Sequence, residues 1–281
     1  MLASERMKDM PKPKPPAVFW RLKMWYNGTT DVMLAAQQKT GSSVTQTTSP
    51  SLVFGGVEHA TVLPSLGPLY AVPTRILFFL TRIPTWLFFK TFKGLTIEGV
   101  ENIANLPRGV IFAANHSSEL DPILMTLIFP IFSKHLPLFF TARGRSFYTA
   151  SGWRQMIYGG FFFKMWGAYE VYPGKKNYEE SLRNHIALLN DKRSVCIFPE
   201  GKRTPDGKVH EAKGGVTYLS YRTGSPIVPV AINRRNYKIK IGEALYPKDI
   251  FQNPNVVTVN ETRDDCKRAA AVVMERINLM L

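Results

Sequence analysis

His116 and Asp121 stand five residues apart in the run Asn115-His116-Ser117-Ser118-Glu119-Leu120-Asp121-Pro122. A loop of that length can fold an imidazole back onto a carboxylate, which then fixes the tautomer and raises the basicity of the far ring nitrogen. Such a pair is a general base with its orienter. It needs no Ser or Cys nucleophile when the attacking hydroxyl belongs to the substrate. The same reading makes Asp121 the N-cap of a helix that starts at Pro122, with its second oxygen accepting from the imidazole; the plainer alternative is a capping Asp121 with His116 incidental.

Two further stretches bring fixed charge to the ends of elements. In Phe198-Pro199-Glu200-Gly201-Lys202-Arg203, Gly201 permits a tight turn and close backbone approach, and Lys202 and Arg203 supply positive charge. Open α/β sheets place their ligands at such strand ends, and a guanidinium suits a bidentate grip on phosphate. The alternative is a solvated turn. In Lys213-Gly214-Gly215-Val216 an expected helix opens, and its free N–H groups and dipole favour an anion.

These residues need a frame, and from residue 94 onward the chain alternates strand-like and helix-like segments, the α/β signature. Residues 110–114 read as a buried strand, 122–129 as an apolar helix, and 178–189 as an amphipathic helix with Leu182, Ile186 and Leu189 on one face. Residues 195–198 and 227–232 read as strands, 237–241 and 256–259 as edge strands, and 264–280 as a closing amphipathic helix. The expected fold is a mixed sheet with helices on its faces, preceded by a membrane-associating helical segment. The expected division is a flexible arm over 1–60, interfacial helices over 61–93 and a catalytic domain over 94–281.

The arm rests on composition. Residues 37–51 are almost entirely Gln, Thr, Ser, Lys and Gly, with too little apolar surface to offset ordering entropy. Residues 17–34, with Phe19, Trp20, Leu22, Trp25 and Tyr26, are either a short docking helix or a loosely ordered tail. Residues 76–92 carry eleven apolar residues in seventeen, interrupted by Arg82, Pro84 and Lys90. A helix of that length reaches only about 26 Å, short of a roughly 30 Å hydrocarbon core. Two short helices broken near Pro84 and lying in the headgroup boundary are expected, a buried core helix being the alternative.

Composition narrows the classes. The 281 residues are 45% hydrophobic and 20% charged, ordinary globular usage that excludes a wholly disordered, collagenous or coiled-coil chain. Lys and Arg number 36 against 21 Asp and Glu, a formal charge of +15, which points to an anionic partner. Cys196 and Cys266 have no metal-ligand spacing and suggest no disulfide framework, so a reducing compartment is expected. No secretory signal is legible at the N-terminus. The G-x-S-x-G, H-E-x-x-H, P-loop and G-x-G-x-x-G patterns are all missing, which removes the main support for serine hydrolase, zincin, P-loop and Rossmann chemistries.

The blocks N-H-S-S-E-L-D-P, G-A-Y-E-V-Y-P-G-K-K, F-P-E-G-K-R-T-P-D-G-K, K-G-G and S-P-I-V-P-V-A-I occur in an order that resembles the glycerophospholipid acyltransferase family, whose type members are bacterial 1-acylglycerol-3-phosphate acyltransferases. The resemblance covers residues 95–235. It implies that His116 deprotonates an acceptor hydroxyl, which attacks an acyl thioester, and that Asp121 holds and polarises His116. Glu200, Gly201, Lys202 and Arg203 resemble the acceptor-binding block, with Arg203 on the glycerol phosphate and Glu200 positioning the loop. Lys213 is a weaker candidate for the same anion or for the donor's phosphates.

The resemblance also implies no metal and no prosthetic group, with coenzyme A or acyl carrier protein as the carrier of the donor acyl chain. The expected partners are membrane lipids and a lysophospholipid, not nucleic acid, and the expected place is the cytoplasmic face of a membrane, peripheral or monotopic. One departure matters. Pro173 occupies a position where the family usually has an Arg that helps hold the acceptor phosphate, and Lys175 or Lys176 would have to substitute. A remodelling enzyme acting on another lysophospholipid or a lipid amine therefore stays in view, as does a non-catalytic basic membrane protein.

His59, His135, His185 and His210 have no partner at catalytic spacing. His185 is expected on the charged, solvated side of its helix. The run from Phe161 to Trp166 either lines an acyl tunnel or is ordinary core.

Overall fold

The computed structural model describes residues 71–143, 165–171, 177–204, 210–251 and 259–281, all within the unit Ala60–Leu281. The expected arm, the docking segment 17–34 and Pro173, Lys175 and Lys176 lie outside the described residues, as do Phe161, Phe162 and Phe163. Helix α1 (Ala71–Phe92) leads into β1 (Thr96–Glu98), α2 (Glu101–Ala104), β2 (Ile111–Ala114), α3 (Asp121–Leu127) and β3 (Phe139–Arg143). Then follow β4 (Ala168–Val171), α4 (Tyr178–Ser181), α5 (Arg183–Asn190), β5 (Val195–Ile197), α6 (Gly215–Thr223), β6 (Ile227–Asn233), β7 (Lys238–Ile241), α7 (Pro247–Ile250) and α8 (Val259–Met280).

The strands form one sheet in the order β1-β7-β6-β2-β5-β3-β4, every pair parallel except β6 with β7. Its central strands are apolar on both faces, as a sheet covered on both sides requires. Along β2 the side chains alternate: Phe112 and Ala114 join a core with α1 and α3, while Ile111 and Ala113 join a second core with α5, α6 and α8. β5 and β6 alternate the same way, Cys196 and Val228 facing the first core and Val195 and Ile227 the second.

Three expectations about elements change. The first concerns α1, which runs unbroken through Pro84. Proline removes one backbone donor, but the helix is tied down on both sides of it by buried Phe78 and Arg82 before and Phe89 after, and packing overrides the local cost. Nor is α1 a core helix. Its inner face is buried, whereas Ile76, Phe79, Leu80, Ile83, Leu87 and Phe88 are exposed. No helix among the described residues is long and apolar enough to cross a membrane.

The second concerns the amphipathic helix at 178–189, which divides at Leu182 into α4 and α5, with Leu182, Ile186 and Leu189 buried as expected. His185, however, is fully buried. Its position three residues after Leu182 and four before Leu189 puts it on the apolar stripe, not the charged side. Its Nε2 lies 3.4 Å from the Phe140 carbonyl oxygen, its Nδ1 has no hydrogen-bond partner among the described residues, and burial pushes its pKa down to about 4.

The third concerns residue 259, expected as the end of an edge strand, which is the first residue of α8; residues 252–258 lie outside the described set.

Candidate active site

The parallel register of β2 with β5 pairs Ala113 with Ile197. Three residues past that pair, at the carboxyl ends of both strands, come His116 and Glu200. Sheet register therefore brings together two residues separated by 84 positions, at the end where such sheets put ligands.

Asn115 secures the first strand end. Its Nδ2 donates to the Ile232 carbonyl at 3.0 Å and its Oδ1 accepts from the Ile232 amide at 2.8 Å, so a buried side chain continues the β2–β6 ladder by one rung. His116 then leaves the sheet with a defined direction.

The imidazole Nδ1 lies 3.0 Å from Asp121 Oδ2. The same oxygen accepts the amides of Ser117 at 2.7 Å and Ser118 at 2.6 Å. Asp121 is thus no N-cap. It is already the first residue of α3, the N-cap being Leu120, and its carboxylate is spent on the loop upstream, because three convergent donors there hold a buried anion better than one amide of its own helix. Asp121 is 0% exposed and His116 17% exposed, so the carboxylate is sealed and the imidazole can still be reached. With Nδ1–H donating to the carboxylate, Nε2 carries the lone pair. Phe198, just past β5, stacks on the ring with centroids 4.1 Å apart and planes 20° apart, which fixes the imidazole plane. Asp121's charge is also felt beneath the loop, where burial first and this carboxylate second push the Cys196 thiol well up.

Glu200 is buried and holds the loop's main chain. Its Oε1 accepts the His116 amide at 3.2 Å and its Oε2 accepts the Thr204 hydroxyl at 2.5 Å. Thr204 closes the loop pair, its amide donating to the His116 carbonyl at 2.8 Å. Gly201 has φ +65°, and a Cβ there would lie 2.9 Å from Lys213 Nζ, so a side chain at this point would displace the lysine. The Lys213 amide donates to the Pro199 carbonyl at 2.8 Å, which ties the start of α6 to the same turn. Gly214 packs so closely on α8 that a Cβ would meet Cys266 Cβ at 2.8 Å.

His116, Asp121, Glu200, Gly201 and Lys213 are therefore gathered around one strand-end pair. Lys202 is exposed. Arg203 sits at the rim, 52% exposed, its Nη1 donating to Glu119 Oε1 at 2.5 Å. Sequence reasoning did not single out Thr204, Phe198, Asn115 or Glu119 as parts of the site. For Thr204 a signal existed: a hydroxyl four residues after Glu200 in a turn-forming stretch can reach back to its carboxylate. Of the other histidines, His135 is buried, with Nδ1 3.2 Å from Ser194 Oγ. No cluster of three metal-ligating side chains occurs among the described residues.

Residues 95–233 match the model of the Acyltransferase family. A Mycoplasma pneumoniae protein named "Probable 1-acyl-sn-glycerol-3-phosphate acyltransferase" is 29% identical over 149 residues, 51% of this chain and 52% of that one. A chloroplastic 1-acyl-sn-glycerol-3-phosphate acyltransferase of Arabidopsis thaliana is 25% identical over 55% of this chain and 40% of its own. The chain thus spans about half the length of the curated relatives it matches, or less. The crystal structure of the 1-acyl-sn-glycerophosphate acyltransferase PlsC from Thermotoga maritima is similar in fold, with a TM-score of 0.50 at 22% identity, covering 73% of this chain and 80% of that one. The seven-stranded sheet with helices on both faces is thus similar in fold to that crystal structure, and residues 95–233 carry an acyltransferase-family domain.

Proposed function

We propose that the protein transfers an acyl chain from a thioester, carried by coenzyme A or acyl carrier protein, to the free hydroxyl of a lysophospholipid, 1-acylglycerol-3-phosphate being the acceptor that gives phosphatidic acid. The observation that carries this reading is the His116 Nδ1 contact with an Asp121 carboxylate that two loop amides hold in place. Such a dyad needs a substrate with its own nucleophile. His116 Nε2 takes the proton of the acceptor hydroxyl as its oxygen attacks the thioester carbonyl carbon. The tetrahedral intermediate collapses with rupture of the C–S bond, and the imidazolium returns the proton to the departing thiolate. Asp121 stabilises the imidazolium between those events, as does the face of Phe198. The step calls on no metal or prosthetic group.

The acceptor's phosphate is met by Arg203 and Lys213 in this reading, with Gly201 leaving space for the lysine. Lys202 adds charge, and Lys175 and Lys176 would stand in for the arginine replaced by Pro173. The exposed face of α1, flanked by Arg75, Lys90 and Lys93, supports residence on the cytoplasmic face of a membrane, where an insoluble acceptor is found. The Glu119–Arg203 pair favours one alternative acceptor, a lysophospholipid with a less demanding headgroup, because the guanidinium already has an anion.

The test is mass analysis of lipid products from a panel of labelled lyso-acceptors, with free thiol measured in parallel. Wild type should release thiol only with a lyso-acceptor, and His116→Ala should lose at least about 100-fold, the scale of a positioned general base. Thiol release in a folded His116→Ala protein at the wild-type rate would overturn the mechanism.

A further inference from the structure

Arg82 is a buried cation with an unusual set of neighbours. It lies on the inner face of α1, 7% exposed, and its Nη1 donates to the carbonyl of Thr126, in the last turn of α3. Its Nε has no hydrogen-bond partner among the described residues. No ion pair joins it to a carboxylate among the described residues, and residues 60–95 and 122–168 contain no Asp or Glu at all. Burial pushes its pKa below the ordinary arginine value.

Stability does not account for this arrangement. α3 already buries Leu124, Met125 and Leu127 in the core, and replacing a buried charge by an apolar side chain of similar volume is commonly neutral or stabilising. Electrostatics offers an account. The carbonyls ending a helix carry partial negative charge and the amides at its start partial positive charge. α3 spans seven residues, about 10 Å, with Asp121 at its first position and Arg82 docked at its last turn. The anion and the cation complement the two ends of one short rod.

We infer that Arg82 is a positioning residue for the His116–Asp121 dyad: by gripping the C-terminal end of α3 it sets where that helix presents Asp121 to the loop holding His116. The inference rests on the acyl-transfer reading for its kinetic consequence, but not for its structural one. It also joins α1, whose outer face is exposed and apolar, to the helix that carries half of the dyad.

The experiment uses the full chain on vesicles of mixed anionic and zwitterionic phospholipid. It compares wild type, Arg82→Met, Arg82→Gln and Arg82→Lys, with His116→Ala both as the kinetic blank and to assign the His116 signals of ring-labelled histidine by NMR. Arg82→Met should remain folded and bind vesicles as wild type does. Its kcat should fall about tenfold with the acceptor KM within twofold, since a small misplacement of a catalytic group far from the chemistry can cost up to 100-fold. The His116 ring signals should shift, and Arg82→Lys should recover most of both. If Arg82→Met does not fold, Arg82→Gln, which keeps a donor and drops the charge, carries the same expectation. Unchanged kcat and unchanged His116 signals in a folded neutral variant would overturn the inference, as would a loss that merely follows the unfolded fraction. A wild type that transfers no acyl group would instead sink the acyl-transfer reading, and the His116 signals would still decide the coupling.

Discussion

Glu200 reaches His116 through the main chain and not through the ring: its Oε1 accepts the His116 amide at 3.2 Å while its Oε2 accepts the Thr204 hydroxyl. The carboxylate expected to position its own loop is thus a brace between the two strand-end loops. Because it is buried, removing it leaves a donor amide without a partner, at a cost of about 1 to 3 kcal/mol. Glu200→Ala should therefore lower kcat by roughly tenfold or more and lower the unfolding midpoint, and Glu200→Gln, which can still accept the amide, should recover part of both. Full activity of Glu200→Ala on every acceptor would show that the brace is dispensable.

Arg203 and Glu119 form an exposed ion pair, a class of interaction usually worth no more than about 1 kcal/mol. An incoming phosphate with two charges can displace such a carboxylate. Glu119→Gln should lower the KM for 1-acylglycerol-3-phosphate a few-fold with little effect on kcat. Arg203→Ala should raise it by about 10-fold to 100-fold, the loss of one charge-assisted hydrogen-bonding group. Steady-state kinetics on phosphorylated and unphosphorylated acceptors checks this, and identical parameters for both variants would place the phosphate elsewhere.

The buried His185 gives the fold a defined acid sensitivity. Its folded-state pKa of about 4 lies below the unfolded value of about 6.5, so the unfolded chain binds the extra proton first. The contribution is fully present above about pH 6.5, diminishes as pH falls, and is lost by about pH 4. The loss is on the order of 3 kcal/mol for this group. His185→Leu should flatten the dependence of the unfolding free energy on pH between 4 and 6.5, measured by denaturant titration. An unchanged slope would assign the acid sensitivity to other groups.

The outer face of α1 should hold the protein on a bilayer. Replacing exposed Trp86, Leu87 and Phe88 by Ser should release protein from sedimented vesicles, while raising salt should weaken binding of wild type only in part, each nearby Lys or Arg adding about 1 kcal/mol at an anionic surface. Complete release of wild type by salt alone would show that the apolar contribution is small.

The sequence by itself determined the α/β alternation, the closing helix, the ordered blocks at strand ends and the meeting of His116 with Asp121, because each depends on neighbours within a few residues. Periodicity reads burial along one element, and a five-residue loop can be closed by chemistry visible in the loop. Even there the role of Asp121 turned on three dimensions: a capping residue and a loop-holding residue share one identity, and only the converging amides of Ser117 and Ser118 choose between them. The tertiary structure alone decided that Glu200 braces the His116 backbone, since that contact follows from the register of β2 against β5 across 84 residues. The burial of His185 was legible in its spacing from Leu182 and Leu189, but the tertiary structure decided that α1 stays whole through Pro84 and that Arg82 grips α3. In each case packing against a distant element outweighs a local preference of about 1 to 3 kcal/mol, and no local pattern encodes which distant element will be there.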